Sequence, residues 1–313
     1  MIVDGKLSVP RVVVSLGQPL LLSFVIAVVV TIAYTSDYPS LVKARGFLTI
    51  SATPLTVVGA ALSIFIGFRN NTVYDRWWEG RTLWGALINQ SRTFARQVVT
   101  FGMYTSERND KEEMQAWQRE SVMRHIGFVH AFRHHLRDDD PLLSNGAAPF
   151  VSDDELEIYK GMKNVPSAIL HKQGEELHEA WRRGWVQDFH VNALDATLTE
   201  LTNIMGGCER IKNTPLPPVY TYLAYRVVVA FCCLVPLALV KDLGWLTPVV
   251  SLLISFAFLV LNRISQLLEL PFSTRVNDLP LTQMCRTIEI DLRQRLDLQP
   301  IPEPIKPVDG VLL

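Results

Sequence analysis

Apolar runs sit near both ends of this 313-residue chain, and a long polar tract separates them. Val12–Ser36 carries no charge and exceeds the ~7–15 apolar residues of a signal peptide's core. Similar runs follow it, so a membrane helix is preferred over a signal peptide. Thr35–Arg45 is then a short loop. Gly46–Phe68 (GFLTISATPLTVVGAALSIFIGF) is again charge-free and meets the ~20 residues a helix needs to cross a bilayer. It passes into RNNTVYDRWWEGR with no helix-breaking Pro or Gly before Gly80, which predicts one helix that leaves the membrane at Arg69 and continues into water. Tyr220–Val240 is interrupted only by Arg226 and closed by Lys241–Asp242, and Leu243–Asn262 is charge-free with Trp245 placed as an interfacial anchor. Their short link predicts a helical hairpin. Arg226 either snorkels to the interface or faces the bundle interior.

Between Arg69 and Pro218 no long apolar run occurs, and the pattern is helical almost throughout. Trp77, Trp84, Leu87 and Ile88 can share one face. Glu112–His135 is amphipathic at 3.6-residue spacing, and DDDP at Asp138–Pro141 ends it. Ser152-Asp-Asp-Glu155 is a capping box for a helix to about Lys163. Pro166 can start a further helix that passes Gly184 and reaches about Lys212, before Pro215, Pro217 and Pro218 break the chain. After Arg263 the chain returns to water, with a turn at Pro271, a helix, and a Pro-rich, strap-like or disordered tail.

These elements predict an all-α membrane protein with four spans in two hairpins. Residues 1–68 form the first hairpin, 69–218 a cytosolic helical domain, 219–262 the second hairpin, and 263–313 a cytosolic helix and tail. Arg69, Arg76, Arg81, Arg92, Arg210, Lys212 and Arg263 flank the spans on one side, against Lys43, Arg45 and Lys241 on the other. The basic excess places the large domain and both termini in the cytoplasm.

A net charge of −1 without a basic tract gives no footprint for nucleic acid. The four cysteines (Cys208, Cys232, Cys233, Cys285) form no CxxC pair and read as reduced structural thiols. Phosphate-loop, dinucleotide, nucleophile-elbow and HExxH motifs are all missing, which argues against an enzyme. His130 and His134, four apart in HAFRHH, are the best metal candidates, with His125 and Asp138–Asp140 near in sequence. Two imidazoles need further ligands to hold a metal, and a polar helix face is the simpler reading.

On the second apolar helix, Gly59, Ser63 and Gly67 make a small-residue row that admits another helix closely. One position on, Ala60, Ile64 and Phe68 form an apolar row about 100° around the axis. That row meets lipid or a neighbouring helix or, if several copies ring an axis, forms a narrow dewetting constriction. Four spans are too few to house the inverted repeats of a typical carrier, so a pathway would need several copies.

The run FIGFRNNTVYDRWWEGRTLWG, the later NIMGGCERI with its proline break, and ELPFSTRVNDLPL resemble the bestrophin family, its bacterial branch most closely, from about Leu7 to Leu296. The matching motif residues are Arg76, Trp77, Trp78, Glu79, Arg81, Pro271, Phe272, Asn277 and Asp278. The resemblance implies a homopentameric channel in a bacterial inner membrane, with one central pore for monovalent ions. Its hydrophobic neck falls on Ala60, Ile64 and Phe68, and its inner mouth on Arg69, Asn70 and Asn71. A second, cytosolic aperture falls near Val191–Asn192. Animal relatives carry a larger residue at Ala60, so that ring is looser here. They also continue after Pro271–Phe272 with an acidic calcium clasp, where this chain has Ser273 to Asp278 with one carboxylate beside an arginine. No cofactor and no calcium activation are expected.

Animal and plant relatives conduct anions, whereas a characterised bacterial branch favours sodium. The bacterial resemblance tips the expectation to cations, with a chloride channel as the alternative. A membrane-anchored metal-dependent enzyme built on the histidines and a partner-binding scaffold are the competing classes.

Overall fold

The computed structural model describes residues 16–103, 111–308 and 310–312. Among these the chain is all helical, apart from one isolated antiparallel bridge between Val308 and Val311. In chain order the helices are α1 (Gly17–Thr35), α2 (Pro39–Ala44), α3 (Ala52–Phe101), α4 (Lys111–Arg137), α5 (Asp153–Lys160), α6 (Val165–Arg182), α7 (Asp188–Asn213), α8 (Pro218–Leu243), α9 (Thr247–Leu268) and α10 (Leu281–Arg295). The chain divides into two compact units. One contains residues 16–77 and Pro215–Glu269; the other contains Trp78–Thr214 and the segment from Leu270 onward. The unit boundary thus falls at Trp77–Trp78 and the C-terminal segment groups with the polar tract.

Among the described residues three stretches are long and apolar enough to cross a membrane: Gly17–Thr35, Ala52–Phe101 and Pro218–Leu268. The third holds α8 and α9, joined by a single 3-10 turn at Gly244–Leu246. Gly244 has φ +50, a backbone conformation that glycine adopts without a Cβ penalty. The Phe231 and Phe258 rings meet at 4.8 Å, so the two helices fold back on one another.

The first unit packs inside out relative to a water-soluble bundle. The buried face of α9 is Thr247, Ser251, Ser255, Leu259, Asn262 and Ser265. Large apolar side chains such as Leu253 and Leu261 point outward. Lipid tails offer no hydrophobic drive between helices, so small and hydroxylated residues hold them together instead. One junction shows why. Pro236 lies inside α8 and lacks the N–H that would bond the carbonyl four residues back, on Cys232. The Ser23 hydroxyl of α1 donates to that carbonyl at 3.3 Å, and Ser255 of α9 lies 2.7 Å from Ser23 Oγ. A proline gap in one helix is closed by two others. Around this junction Leu20, Leu62, Ile66, Val228, Phe231, Val235 and Leu259 form the apolar core.

α3 begins at Ala52, later than the Gly46 expected, because Arg45–Gly46–Phe47 form a turn and Thr49 to Ser51 are irregular. The helix then runs 50 residues, through Gly80 and Gly85 to Phe101. Hydroxyls within its apolar half satisfy themselves on the preceding turn, as Ser63 does on Gly59 O at 2.8 Å. The Thr35–Arg45 loop contains the short helix α2, started by Pro39. The part of the first expected span before Leu16 lies outside the described residues.

The second unit is built around α4. The amphipathic face expected over Glu112–His135 is corrected here: from Ser121 to His134 every residue except Met123 is buried. α4 is enclosed by its neighbours, and the polar side chains it carries are paired inside. Arg124 Nε donates to Glu155 Oε1 at 2.6 Å and Nη1 to Gln173 Oε1 at 3.1 Å, while Gln173 Nε2 donates to Ser121 O at 2.7 Å. Trp84 stacks on Phe132 at 5.6 Å, with Leu87 also fully buried and Trp77 and Ile88 half-buried. Asp138, at φ +59, ends α4 as the DDDP run requires. The Ser152 capping box opens α5, which stops at Lys160 rather than Lys163. The single helix expected from Pro166 to Lys212 is two helices, because Gly184 at φ +77 breaks it between α6 and α7.

Candidate functional site

The apolar half of α3 has two faces. Leu62 (5% exposed) and Ile66 (1%) enter the core, whereas Ile64 (61%) and Phe68 (68%) project outward. Ala60 is exposed on the same row. The small row behaves differently from its prediction at one end and as predicted at the other. A Cβ on Gly59 would approach the Phe231 ring to 3.0 Å, so α8 rests on that backbone, while Gly67 has open space. Ala60, Ile64 and Phe68 are thus left uncovered by the described helices.

Arg69, one of the residues expected at the inner mouth, is turned inward. Its side chain is only 1% exposed and turns into the bundle, where Nη1 donates to Asn262 Oδ1 at 2.8 Å. Asn70 is drawn the same way: its amide donates to Leu261 O at 3.2 Å, and its Oδ1 accepts from Ser265. Asn71 and Asp75 remain exposed. The outward row of α3 therefore continues past the apolar positions to Asn71 and the carboxylate of Asp75, while the cation beside it is withdrawn. Asn262 and Ser265 were missed as partners. Their signal was present, since they lie three apart at the polar end of an apolar run and so share a helix face.

Val191 and Asn192 sit in the first turn of α7, the former half-buried and the latter exposed. Neighbouring contacts hold this turn: His190 stacks on Phe101 at 4.2 Å and Thr197 Oγ1 donates to Gln97 Oε1 at 2.8 Å.

Most of the family-motif residues are partly or fully buried. A Cβ on Gly80 would meet the Phe272 ring at 3.1 Å, so α3 can pass the buried Pro271–Phe272 turn only as glycine without displacement. Glu79 pairs with Arg210. Trp77 stacks with Tyr74 at 6.4 Å, Trp78 is exposed, and Arg76, Arg81 and Asn277 are half-buried. Asp278 is buried; its Oδ2 accepts from the Ser273 hydroxyl and from Arg275 N at 2.7 Å, while Oδ1 has no partner. Burial raises the Asp278 carboxyl above the usual carboxylate range against those two hydrogen bonds. Calcium takes six to eight oxygens, usually including several carboxylates. One carboxylate with half its acceptors spent does not fit such a clasp.

The histidines do not converge on a metal position. His130 Nε2 lies 3.3 Å from Glu289 Oε2 and its ring stacks on Phe150, whereas His134 Nε2 lies 3.2 Å from Asn145 O and Nδ1 lies 3.5 Å from Asp139. His125 is wedged between Phe94 and Phe128 with neither nitrogen paired. Among the described residues no three His, Cys, Asp or Glu side chains group as a metal site. The simpler reading of a polar face also falls, since all three rings are inside. Burial lowers each of them, His125 to about 3, so they are held as neutral imidazoles. The four cysteines are free, and burial pushes the Cys285 thiol up to about 12.

Inside-out apolar helices, a helical polar unit and an uncovered apolar row on the longest of the described helices define a helical membrane protein. The chain belongs to the bestrophin family: the family model described as bacterial/fungal bestrophin protein matches residues 7–294. A "voltage-dependent anion channel-forming protein" of Ralstonia nicotianae is 38% identical over 79% of this chain and 78% of its own. The protein of the same description from Escherichia coli, YneE, is 36% identical over 83% and 82%. The crystal structure of a bacterial bestrophin homologue from Klebsiella pneumoniae is 32% identical, with a TM-score of 0.79 covering 90% of this chain and 98% of that one. The Ralstonia and Escherichia relatives are named as channel-forming proteins and not as enzymes.

Proposed function

We propose that this chain forms a homopentameric ion channel of the inner membrane, with α3 lining one central pore. The observation that carries it is the outward row Ile64 and Phe68, large apolar side chains left uncovered beside the buried Leu62 and Ile66. Five copies of that row, with Ala60 as its looser outer ring, make a narrow neck that dewets and so gates. α1, α3, α8 and α9 are the four spans, with both termini and the helical unit in the cytoplasm. The Val191–Asn192 turn is the cytosolic aperture. Calcium plays no part in opening, because the Ser273–Asp278 segment lacks the ligands.

The pore favours monovalent cations. Withdrawal of Arg69 into the bundle and exposure of Asp75 support this sign, since an apolar neck bears no charge of its own. A second reading is an anion pathway, favoured by the names of the Ralstonia and Escherichia relatives. Purified protein in planar bilayers tests the pore itself. Currents that grow in Ile64→Ala and Phe68→Ala support the neck. Currents unaltered by both variants remove it, and no current at all returns the scaffold reading.

A further inference from the structure

Within the first unit, a cavity of about 360 Å³ opens where α9 leaves its apolar stretch. Leu16, Pro19 and Leu259 give it an apolar wall. Gln18, Tyr225, Asn262, Arg263 and Gln266 give it a polar one. The charge balance of this corner is unusual. Arg263 Nη1 donates to Gln266 Oε1 at 2.9 Å, while its Nε is buried with no partner. Arg69, joined to the same wall through Asn262, has Nε and Nη2 buried and unpartnered. Among the described residues no carboxylate oxygen lies within 4.0 Å of either guanidinium. Arg263 is half-buried at the cavity, and Arg69, on which Glu269 acts only from a distance, lies behind the same wall; their spare guanidinium donors can be satisfied by an anion.

We infer that this cavity binds the phosphate of an anionic phospholipid, with Arg263 as the principal contact. Guanidinium donors match phosphate oxygens in geometry and charge. The amides of Gln18 and Gln266 and the Tyr225 hydroxyl add hydrogen-bonding capacity suited to a glycerol headgroup. The apolar wall of Leu16, Pro19 and Leu259 suits the start of an acyl chain, which a free phosphate would leave unused. The level also fits, since Leu261 ends the apolar stretch of α9 and Asn262 and Arg263 begin its polar end. The cavity is lined by α1, α8 and α9, so occupancy would brace three spans at one end.

The test is native mass spectrometry of the full-length protein in detergent after exchange into phosphatidylcholine, followed by titration with phosphatidylglycerol. The expected result is saturable retention of phosphatidylglycerol at one per chain, weakened about tenfold in Arg263→Gln, as loss of a charge-assisted contact implies. Arg263→Lys should retain most of the binding. Tyr225→Phe, which leaves the charge and the fold alone, should weaken it measurably. Equal retention of phosphatidylglycerol by wild type and Arg263→Gln, with the oligomer intact in both, overturns the site. Displacement of the lipid by millimolar inorganic phosphate overturns the lipid assignment in favour of a free-anion site.

Discussion

The Arg69 guanidinium donates to Asn262 Oδ1 at 2.8 Å from a side chain only 1% exposed. A positive charge next to the outward-facing Phe68 is thereby held between helices. Replacing Asn262 by Leu leaves that charge buried without its neutral acceptor, and a hydrogen bond to a charged group is worth about 1.5–3 kcal/mol. Asn262→Leu should lower the thermal midpoint of the detergent-solubilised protein, and Asn262→Asp should not. Arg69→Gln should alter stability while leaving the reversal potential unchanged. A shifted reversal potential in Arg69→Gln would place the side chain in the ion path instead.

Ser23 and Pro236 should be coupled energetically. Ser23→Ala strips the Cys232 carbonyl of its donor in an apolar layer and should destabilise the bundle by about 1 kcal/mol. Pro236→Ala restores the backbone N–H, so Ser23→Ala should cost markedly less in that background. A double-mutant cycle read by thermal melting measures the difference; additive effects would mean the hydroxyl does not serve that carbonyl.

His125 predicts both a mutation and a pH effect. Both ring nitrogens are buried without partners between Phe94 and Phe128, so His125→Phe should raise stability by about 1 kcal/mol. The folded pKa of about 3 lies below the ordinary 6.5, so the unfolded chain takes up the proton first as pH falls. Stability from this group is fully present above pH 6.5 and drains away between 6.5 and about 3, by up to about 1.4 kcal/mol per pH unit. His130 and His134 are shifted in the same direction and add to the slope. Unfolding followed from pH 7 downward should therefore be shallower in His125→Phe, and parallel curves for the two proteins would contradict the neutral buried ring.

Neighbours on α3 should separate packing from permeation. Ile66→Ala removes a side chain that is 1% exposed and should cost about 2–5 kcal/mol with no gain in conductance. Ile64→Ala should do the reverse, raising conductance with little loss of stability. Thermal midpoints and single-channel amplitudes from the same preparations check the pair.

Much of this was readable from the chain. Apolar length located the membrane helices, and the absence of Pro from Arg69 onward foretold the continuation of α3. Ser152 and the DDDP run marked helix ends correctly because capping is decided by a few adjacent residues. The errors came from tertiary context. The inward turn of Arg69 was not legible, because sequence spacing does not reveal that Asn262, far along the chain, offers it an acceptor. The α4 histidines looked solvated because polar residues are normally outside, whereas here Phe94, Phe128, Phe150 and Glu289 enclose them. Gly184 was read through because a glycine inside a helical pattern is often tolerated; its positive φ is set by the turn between α6 and α7.

The central claim is a pore whose sign is set by Asp75 on the outward row while Arg69 is withdrawn. Its most direct test is the reversal potential of purified protein in planar bilayers under a sodium chloride gradient without calcium, compared with Asp75→Asn. The account predicts a potential near the sodium equilibrium value, moving toward zero in Asp75→Asn. A potential near the chloride equilibrium value in the wild-type protein would contradict it.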